Sequence, residues 1–253
     1  MFPALDHLIL AIPDLAAAAA PFEQLGLTLT PRTAHAGLGT ANRAAFIGSG
    51  PGNFAFIELL AVEQPDLLPP SRAHHRAAAG AGGALASFAL RVPDLDAALQ
   101  PLRPAAQVDV AEVRADDRRL LVRSAVIRLP AIPCPVALVQ YPETPEARFQ
   151  RSRSLGRFDH AFPLAALDHI ALLVTDLAAA TRDAALLGLQ PVGEVTTPDV
   201  IIRQLAAGAA TVELLAPARQ GSPLAGRPPG LLPVAACRAA VPLAGAARLA
   251  RER

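Results

Sequence analysis

Lysine and tryptophan are absent from this chain of 253 residues, and tyrosine occurs only once. The 23 basic residues, all arginine, oppose 22 acidic residues, so the formal net charge is +1. A chain with so small an excess of charge presents no field of one sign that would recruit nucleic acid or an anionic membrane surface. We therefore expect no nucleic-acid and no membrane partner.

Cysteine and long apolar runs are also scarce. The two cysteines, Cys134 and Cys237, match no zinc spacing and do not suggest a disulfide scaffold. No uninterrupted apolar run approaches the roughly 18 residues of a membrane span, and the start MFPALDHL lacks the pattern of a secretory signal. We expect a soluble cytoplasmic protein.

Several catalytic motifs are missing as well. The sequence contains no GxSxG, no GxxxxGK and no CxxC, and GAGG at 80–83 is not followed by the pattern of a dinucleotide fold. No nucleotide cofactor is expected.

The chain does contain an internal repeat. LDHLILAIPDL at 5–15 returns as LDHIALLVTDL at 167–177. In both copies the first leucine of the next LGL triplet, Leu25 or Leu187, follows the histidine by 18 residues. Each copy then ends in a similar strand-like run that carries a glutamate, FIELLAV or TVELLAP. The residues in register are His7 with His169 and Glu58 with Glu213.

A fainter third copy begins at LASFALRVPDLDAAL, 85–99, with Ser87 at the position of the histidine. Its closing run, PVALVQY at 135–141, places Gln140 at the position of the glutamate. A fourth copy begins near residue 230, and the chain stops after what reads as one strand and one helix. The last copy is therefore predicted to be truncated.

Local signals within each copy agree on a β-α-β-β-β order. An alternating apolar stretch predicts a strand, an aspartate stands where a helix N-cap belongs, and a glycine follows the alanine-rich run. Pro21 interrupts the first alanine-rich run, so we expect the first helix to be short or bent. The predicted N-caps are Asp14, Asp94 and Asp176.

The repeat divides the chain into two predicted domains. The first, 1–150, holds modules 1–62 and 84–145, and the second, 160–253, holds module 165–217 and the truncated module 230–253. Segments between modules are rich in Pro, Gly and Arg, as linkers and covering loops are. We expect His74 and His75 on an exposed helix or loop, and His160 in a linker. Because a truncated module leaves strand edges uncovered, we also predict a homodimer.

Modules of this order that open with LDHxxLxxxDL and close with a glutamate-bearing strand resemble the vicinal oxygen chelate superfamily. That superfamily includes glyoxalase I, methylmalonyl-CoA epimerase, extradiol dioxygenases and bleomycin-resistance proteins. The first module, with HAGLGTANRAAFIG at 35–48, is most similar to the glyoxalase-like branch. The resemblance implies an α+β fold in which βαβββ modules pair into cupped mixed sheets with helices on the outside.

The resemblance also implies a divalent metal in the cup, held by His and Glu, or sometimes Gln, from the first and last strands of each module. The implied ligands are His7, Glu58 and Gln140 in the first cup, and His169 and Glu213 in the second. Such nitrogen and oxygen donors suit Zn, Ni, Fe(II) or Mn. Consecutive modules are expected to pair. In the alternative arrangement, modules one and three meet and their four ligands converge.

Two classes of function remain open from the sequence. In the first, the protein is a metal-dependent lyase, isomerase, epimerase or dioxygenase for a small substrate with vicinal oxygens, and Glu58 moves a proton. In the second, the cup has no metal and binds or sequesters a small molecule, as bleomycin-resistance proteins do, and the repeated histidines are ordinary strand residues. In either case, the residues expected to line the cup and contact the ligand are His35, Thr40, Asn42 and Arg43.

Overall fold

The computed structural model describes residues 3–162 and 164–239. The first module consists of β1 (Ala4–Ile12), α1 (Leu15–Gln24), β2 (Thr33–His35), β3 (Thr40–Ile47) and β4 (Ala55–Val62). Two single 3-10 turns, Pro65–Leu67 and Pro70–Arg72, then lead into α2 (Ala73–Gly80). The second module consists of β5 (Ala84–Arg91), α3 (Leu95–Leu99), β6 (Gln107–Arg114), β7 (Leu120–Arg128) and β8 (Val136–Gln140).

The remaining elements follow the same order. Helix α4 (Pro145–Ser154) connects the second module to the third. The third module consists of β9 (Leu164–Leu173), α5 (Leu177–Leu186), β10 (Gln190–Thr196), β11 (Val200–Ala207) and β12 (Ala210–Pro217). Strand β13 (Gly230–Ala239) is the strand with which the fourth copy was predicted to begin. The helix predicted after it lies outside the described residues.

The predicted N-caps are confirmed in all three module helices. The carboxylates of Asp14, Asp94 and Asp176 accept hydrogen bonds from the backbone N–H three residues further on, at 2.8, 3.1 and 2.9 Å. Helix α1 contains Pro21 and is ten residues long, as is α5. The expected shortening of α1 is therefore wrong: the proline removes one backbone donor without ending the helix.

The first two modules form one eight-stranded mixed sheet, in the order β2-β3-β4-β1-β5-β8-β7-β6. Within each half, the first and last strands of the module are parallel neighbours, β1 with β4 and β5 with β8. The halves join through the antiparallel pair β1 and β5, where His7 is opposite Ala89 and Ile9 is opposite Ser87. This topology confirms the predicted fold class, an α+β protein whose βαβββ modules pair into curled mixed sheets.

The third module forms a second, five-stranded sheet in the order β10-β11-β12-β9-β13. Strand β13 runs antiparallel to β9, as β5 does to β1. The second sheet therefore contains the four strands of one module and a single further strand, β13, which lies where β5 lies in the first sheet.

One apolar core lies between the two sheets. Leu8 and Phe88 of the first sheet belong to the same buried cluster as Ile170 and Leu214 of the second, and α3 and α5 contribute to it. Because the sheets share this core, the division into two independent domains remains a prediction. No helix in residues 3–162 or 164–239 has both the length and the apolarity needed to cross a membrane.

Not every helix is on the outside. Helices α1, α3 and α5 pack on the outer faces of the sheets, as predicted. Helices α2 and α4, in contrast, bring His75 and Arg148 to the inner face of the first sheet. The inter-module segments that the sequence suggested as linkers or covering loops thus supply part of the wall of the first cup.

Candidate functional site

A cavity of about 590 Å³ occupies the concave face of the first sheet. Its floor is apolar, with Ile9 and Leu60 from the first module and Ala137 and Val139 from the second. Its polar lining comes from both modules and from the segments around α2 and α4. A volume of this size suits a small-molecule ligand.

His7 and Glu58 face each other in this cavity, with 3.5 Å between Nε2 and Oε2. The parallel pairing of β1 with β4 sets His7 beside Phe56 and Ile9 beside Glu58, so both polar side chains leave the same face of the sheet. The Phe56 ring stacks on the imidazole at 4.4 Å between centroids, and the Asn42 amide donates to Glu58 Oε1. Both members of the pair are thus oriented by a neighbouring side chain.

Asp6 lies behind His7 and is fully buried. Its carboxylate accepts hydrogen bonds from His7 Nδ1 at 2.8 Å, the Tyr141 hydroxyl at 2.7 Å, Arg148 Nη1 at 2.9 Å and Arg91 Nη1 at 3.2 Å. Burial alone would raise the pKa of Asp6, but the charge of Arg148, the His7 hydrogen bond and the charges of His7 and Arg91 together hold it well below its usual range. Asp6 is therefore ionised.

An ionised Asp6 determines which nitrogen of His7 carries a proton. A carboxylate can only accept, so Nδ1 of His7 must donate, and Nε2 is left facing Glu58. An imidazole lone pair and a carboxylate oxygen repel each other at 3.5 Å unless a proton or another cation lies between them. The two atoms are therefore placed to share a proton or another cation.

Sequence reasoning missed Asp6, Tyr141 and Arg148. The aspartate is part of both copies of the LDH motif, and this recurrence was the available signal. Tyr141 and Arg148 carried none, because they reach Asp6 from about 135 and 142 residues along the chain. Burial raises the pKa of Tyr141 well above its usual value, so its hydroxyl remains a donor to Asp6.

Two of the four residues expected to contact a ligand line the cavity, namely His35 and Asn42. Thr40 lies behind His35, with its hydroxyl 2.8 Å from Nδ1. Burial lowers the pKa of His35, so its ring is neutral at pH 7. Arg43 is not brought to the cavity: its guanidinium donates to the carbonyl of Thr30 at 2.9 Å and to a glutamate on α1.

The turn between His35 and Thr40 requires glycine. Gly39 has φ of +66°, and a Cβ built there would lie 2.1 Å from the carbonyl oxygen of Gln64. The glycine thus lets the HAGLG segment lie close to the backbone of Gln64.

Gln140 does not reach the cavity. Ala137 and Val139 of β8 face inward, so Gln140 faces outward. Ala137 pairs with Ala89, as Glu58 pairs with Ile9, and so Ala137 occupies the position that the sequence comparison gave to Gln140. Three hydrogen bonds hold the outward amide, to Leu95 N, to Arg123 and to the Pro93 carbonyl.

His169 and Glu213 repeat the arrangement of His7 and Glu58 in the second sheet. Strands β9 and β12 are parallel, with His169 beside Thr211 and Glu213 beside Ala171. Gln204 donates to Glu213 at 3.0 Å, as Asn42 does to Glu58. Since the two pairs belong to different sheets, modules one and three do not share a site within this chain.

No group of three or more His, Cys, Asp or Glu side chains within residues 3–162 and 164–239 is placed to hold a metal ion. At the first cup, the expected ligands brought together are His7 and Glu58 alone. A catalytic zinc site usually takes three protein ligands. The described residues therefore do not by themselves fit a resident metal.

Three further side chains make contacts around the first sheet, although the sequence placed them elsewhere or did not single them out. His75 was expected to be exposed but is 2% exposed, and it lines the cavity together with Arg72. His160 is not in a free linker: its Nδ1 accepts from Thr28 N at 2.9 Å and its Nε2 donates to the Phe46 carbonyl at 2.6 Å. These contacts depend on tertiary structure, which spacing along the chain did not reveal.

Comparison with known proteins places this chain among glyoxalase-like proteins. The family model described as a glyoxalase-like domain matches residues 5–161, and the chain belongs to that family. The match confirms the resemblance to the vicinal oxygen chelate superfamily. No curated protein sequence matched the chain.

Two solved structures that match most of the chain share its fold at low sequence identity. A hypothetical protein from Staphylococcus aureus is 15% identical, with a TM-score of 0.65 over 91% of this chain and 88% of that one. A variant of 4-hydroxymandelate synthase from Streptomyces coelicolor is 15% identical, with a TM-score of 0.60 over 91% of this chain and 70% of that one. Methylmalonyl-CoA epimerase from Streptomyces coelicolor is 18% identical, with a TM-score of 0.46 over 56% of this chain and 100% of that one.

Proposed function

We propose that the cup of the first sheet binds a small organic anion and that His7 and Glu58 move a proton on it, as in an isomerase, an epimerase or a lyase. The observation that carries this proposal is the buried pair of Nε2 and Oε2 at 3.5 Å, open to the cavity and oriented from behind by Asp6. Buried acid–base pairs that line a cavity are typical of proton-transfer sites.

Glu58 is the residue we assign as the base. It would take the proton from a carbon next to a carbonyl group; the C–H electron pair then forms a carbon–carbon double bond while the carbonyl π pair moves onto the oxygen, which gives an enolate. His7 holds a proton on Nε2 for that oxygen, and Asp6 stabilises the imidazolium. Return of the proton from Glu58 to either face, or to another carbon, completes an epimerisation or an isomerisation without an oxidant.

The charges around the cavity favour an anionic substrate. Five arginines line it, against two carboxylates that face into it, Glu58 and Glu143. The lining arginines are Arg72, Arg119, Arg148, Arg151 and Arg157. The apolar floor leaves room for the hydrocarbon part of a small molecule.

The metal-dependent reactions implied by the family resemblance have less support in this site. Zn, Ni, Fe(II) or Mn would find two protein donors there, His7 and Glu58, because Gln140 faces outward. A dioxygenase requires a redox-active ion, and we derive no step through one. The acid–base proposal uses only groups that the described chain provides.

A second candidate is a binding protein of the bleomycin-resistance type, which holds a small molecule without changing it. It is favoured by the hydrogen bond from Asn42 to Glu58, which already occupies one oxygen of the proposed base. The same cavity and charges would then serve to sequester an anion.

Hydrogen exchange distinguishes the two candidates without knowledge of the natural substrate. The wild-type protein is incubated in D₂O with a panel of short 2-oxo carboxylates, and the loss of the C3–H signals is followed by ¹H NMR. We expect exchange above the protein-free rate for at least one compound, with a decrease of about 100-fold or more in Glu58→Gln. Glu213→Gln, at the matching position of the second sheet, should retain the wild-type rate.

Two outcomes would contradict the proposal. Equal exchange in wild type and Glu58→Gln removes the assigned base. Binding of panel members without any exchange above background supports the binding protein instead.

A further inference from the structure

Arg72 is a buried cation in the cavity that forms no direct ion pair in the described chain, although the charges of Asp109 and Glu58 act on it from beyond contact distance. It ends the 3-10 turn Pro70–Arg72, is 9% exposed and lines the cavity. Its one hydrogen bond within the described chain is from Nη2 to the Ser124 hydroxyl, at the long distance of 3.5 Å. Its Nε is buried without a partner in that part of the chain.

Two of the other arginines that line the cavity, in contrast to Arg72, have a carboxylate in contact. Arg148 is neutralised by Asp6 at 2.9 Å, and Arg151 by Glu143 at 2.8 Å. A buried guanidinium without a contacting counter-ion carries a desolvation cost, and the more distant charges of Asp109 and Glu58 offset it only in part, so the pKa of Arg72 is lowered. A ligand that brings the missing negative charge would offset the remainder of that cost.

The groups next to Arg72 are donors. Ser124 is 3% exposed and His75 is 2% exposed, and both nitrogens of His75 are buried without a partner in the described chain. Burial, with the nearby His74 and Arg72, lowers the pKa of His75 to about 2, so its ring is neutral at pH 7 and offers one N–H. The cavity's two carboxylates are occupied elsewhere, Glu58 by His7 and Asn42 and Glu143 by an arginine of α4.

We propose that Arg72, Ser124 and His75 form the subsite for a carboxylate group of the ligand. A planar carboxylate fits the guanidinium fork and can accept from the hydroxyl and the imidazole at the same time. The inference rests on the proposed function, because it supplies the anionic group of the molecule whose C–H bond Glu58 would break. It narrows the ligand class to small carboxylates with an apolar remainder.

The test compares a carboxylate with a neutral molecule of similar shape. Binding of 2-oxobutyrate and of butanone is measured by titration calorimetry or ligand-observed NMR, for wild type, Arg72→Met and Arg76→Met. Arg76 is an exposed arginine four residues further on in α2, so it controls for a general loss of positive charge. We expect wild type and Arg76→Met to bind the carboxylate at least about tenfold more tightly than Arg72→Met, and butanone binding to be equal in all three.

Thermal unfolding of the free proteins separates a ligand-binding role from a structural one. Removal of an unpaired buried charge relieves desolvation, so Arg72→Met should unfold at the wild-type temperature or above. A fall of several degrees would mean that Arg72 supports the fold, and would overturn the proposal. If Arg72→Met fails to fold, Arg72 is again shown to support the fold, and the proposal is overturned. In that case Arg72→Lys, which keeps the charge but loses the guanidinium fork, is expected to bind the carboxylate as tightly as wild type.

Other outcomes separate this inference from the proposed function. Equal carboxylate affinity in wild type and Arg72→Met overturns the subsite, while hydrogen exchange that depends on Glu58 would leave the proposed function standing. Arg72-dependent binding without exchange supports the subsite and rejects the proton transfer. Absence of carboxylate binding to wild type at millimolar concentration rejects the subsite.

Discussion

The Asp6→Asn substitution is the most direct test of how the first cup is held together. In the native protein one buried carboxylate accepts hydrogen bonds from four donors, and two of these belong to arginines. Asparagine keeps the size of the side chain but loses the charge, and its amide group turns a donor toward groups that are themselves donors. Arg148, whose side chain is 5% exposed, then remains as a buried cation without a counter-ion.

The expected cost follows from this geometry. Breaking a buried ion pair by removing one partner costs about 3–5 kcal/mol. For a chain of this length each kcal/mol changes the melting temperature by about 2–4 °C, so we expect Asp6→Asn to melt roughly 10 °C below wild type. Arg148→Met in the Asp6→Asn background should recover part of the loss, because it removes the uncompensated charge.

Differential scanning calorimetry of wild type, Asp6→Asn, Arg148→Met, the double variant and Asp168→Asn provides the comparison. Asp168 holds the matching position in the third module but is only half-buried, so its substitution should cost less. Two results would refute the reasoning about Asp6. One is that Asp6→Asn melts within about 2 °C of wild type; the other is that the double variant loses more stability than the two single variants lose together.

The same carboxylate predicts a dependence of stability on pH. The pKa of Asp6 in the folded protein lies well below its ordinary value of 3.8, so its contribution is complete above that value and is lost as the pH falls toward the folded pKa. Asp6→Asn should therefore lose less stability than wild type between pH 5 and pH 2. Parallel stability curves for the two proteins over this range would show that Asp6 is not preferentially ionised in the fold.

Three other outcomes are expected. Gln140→Ala should leave two quantities unchanged: the metal content, measured by elemental analysis after reconstitution, and the carboxylate affinity. A change in either would mean that the Gln140 side chain reaches the cup. His160→Ala should lose about 1–3 kcal/mol of stability in chemical denaturation, because it leaves the buried Phe46 carbonyl without a donor. A loss below about 0.5 kcal/mol would contradict this hydrogen bond. Light scattering at micromolar concentration should show a dimer, because β10, the outermost strand of the second sheet, exposes Val192 and Val195 at 61% and 46%. A strictly monomeric protein would contradict the predicted dimer.

The sequence alone predicted most of the fold, because the features that define it are local and repeated. Periodic apolar residues, the three aspartate caps and the recurrence of LDH with a later glutamate identified the β-α-β-β-β modules. The same repeat placed His7 and Glu58 side by side. Gln140 was misplaced because the sequence comparison was three residues out of register with Ala137, and a shift by an odd number of residues moves a strand side chain from the cup to the outer surface.

Patterns within a single module thus determined the local order of strands and helices. They also determined the His7–Glu58 pair, because both residues belong to the same repeated module. Only the tertiary structure decided that α2 and α4 cover the cup and bring Arg72, His75 and Arg148 into it. Those side chains acquire their roles from burial and from partners far along the chain, such as Asp6 for Arg148. Charge compensation in a buried site depends on which groups the folded chain brings within a few ångströms of one another, and no spacing along the sequence records that distance.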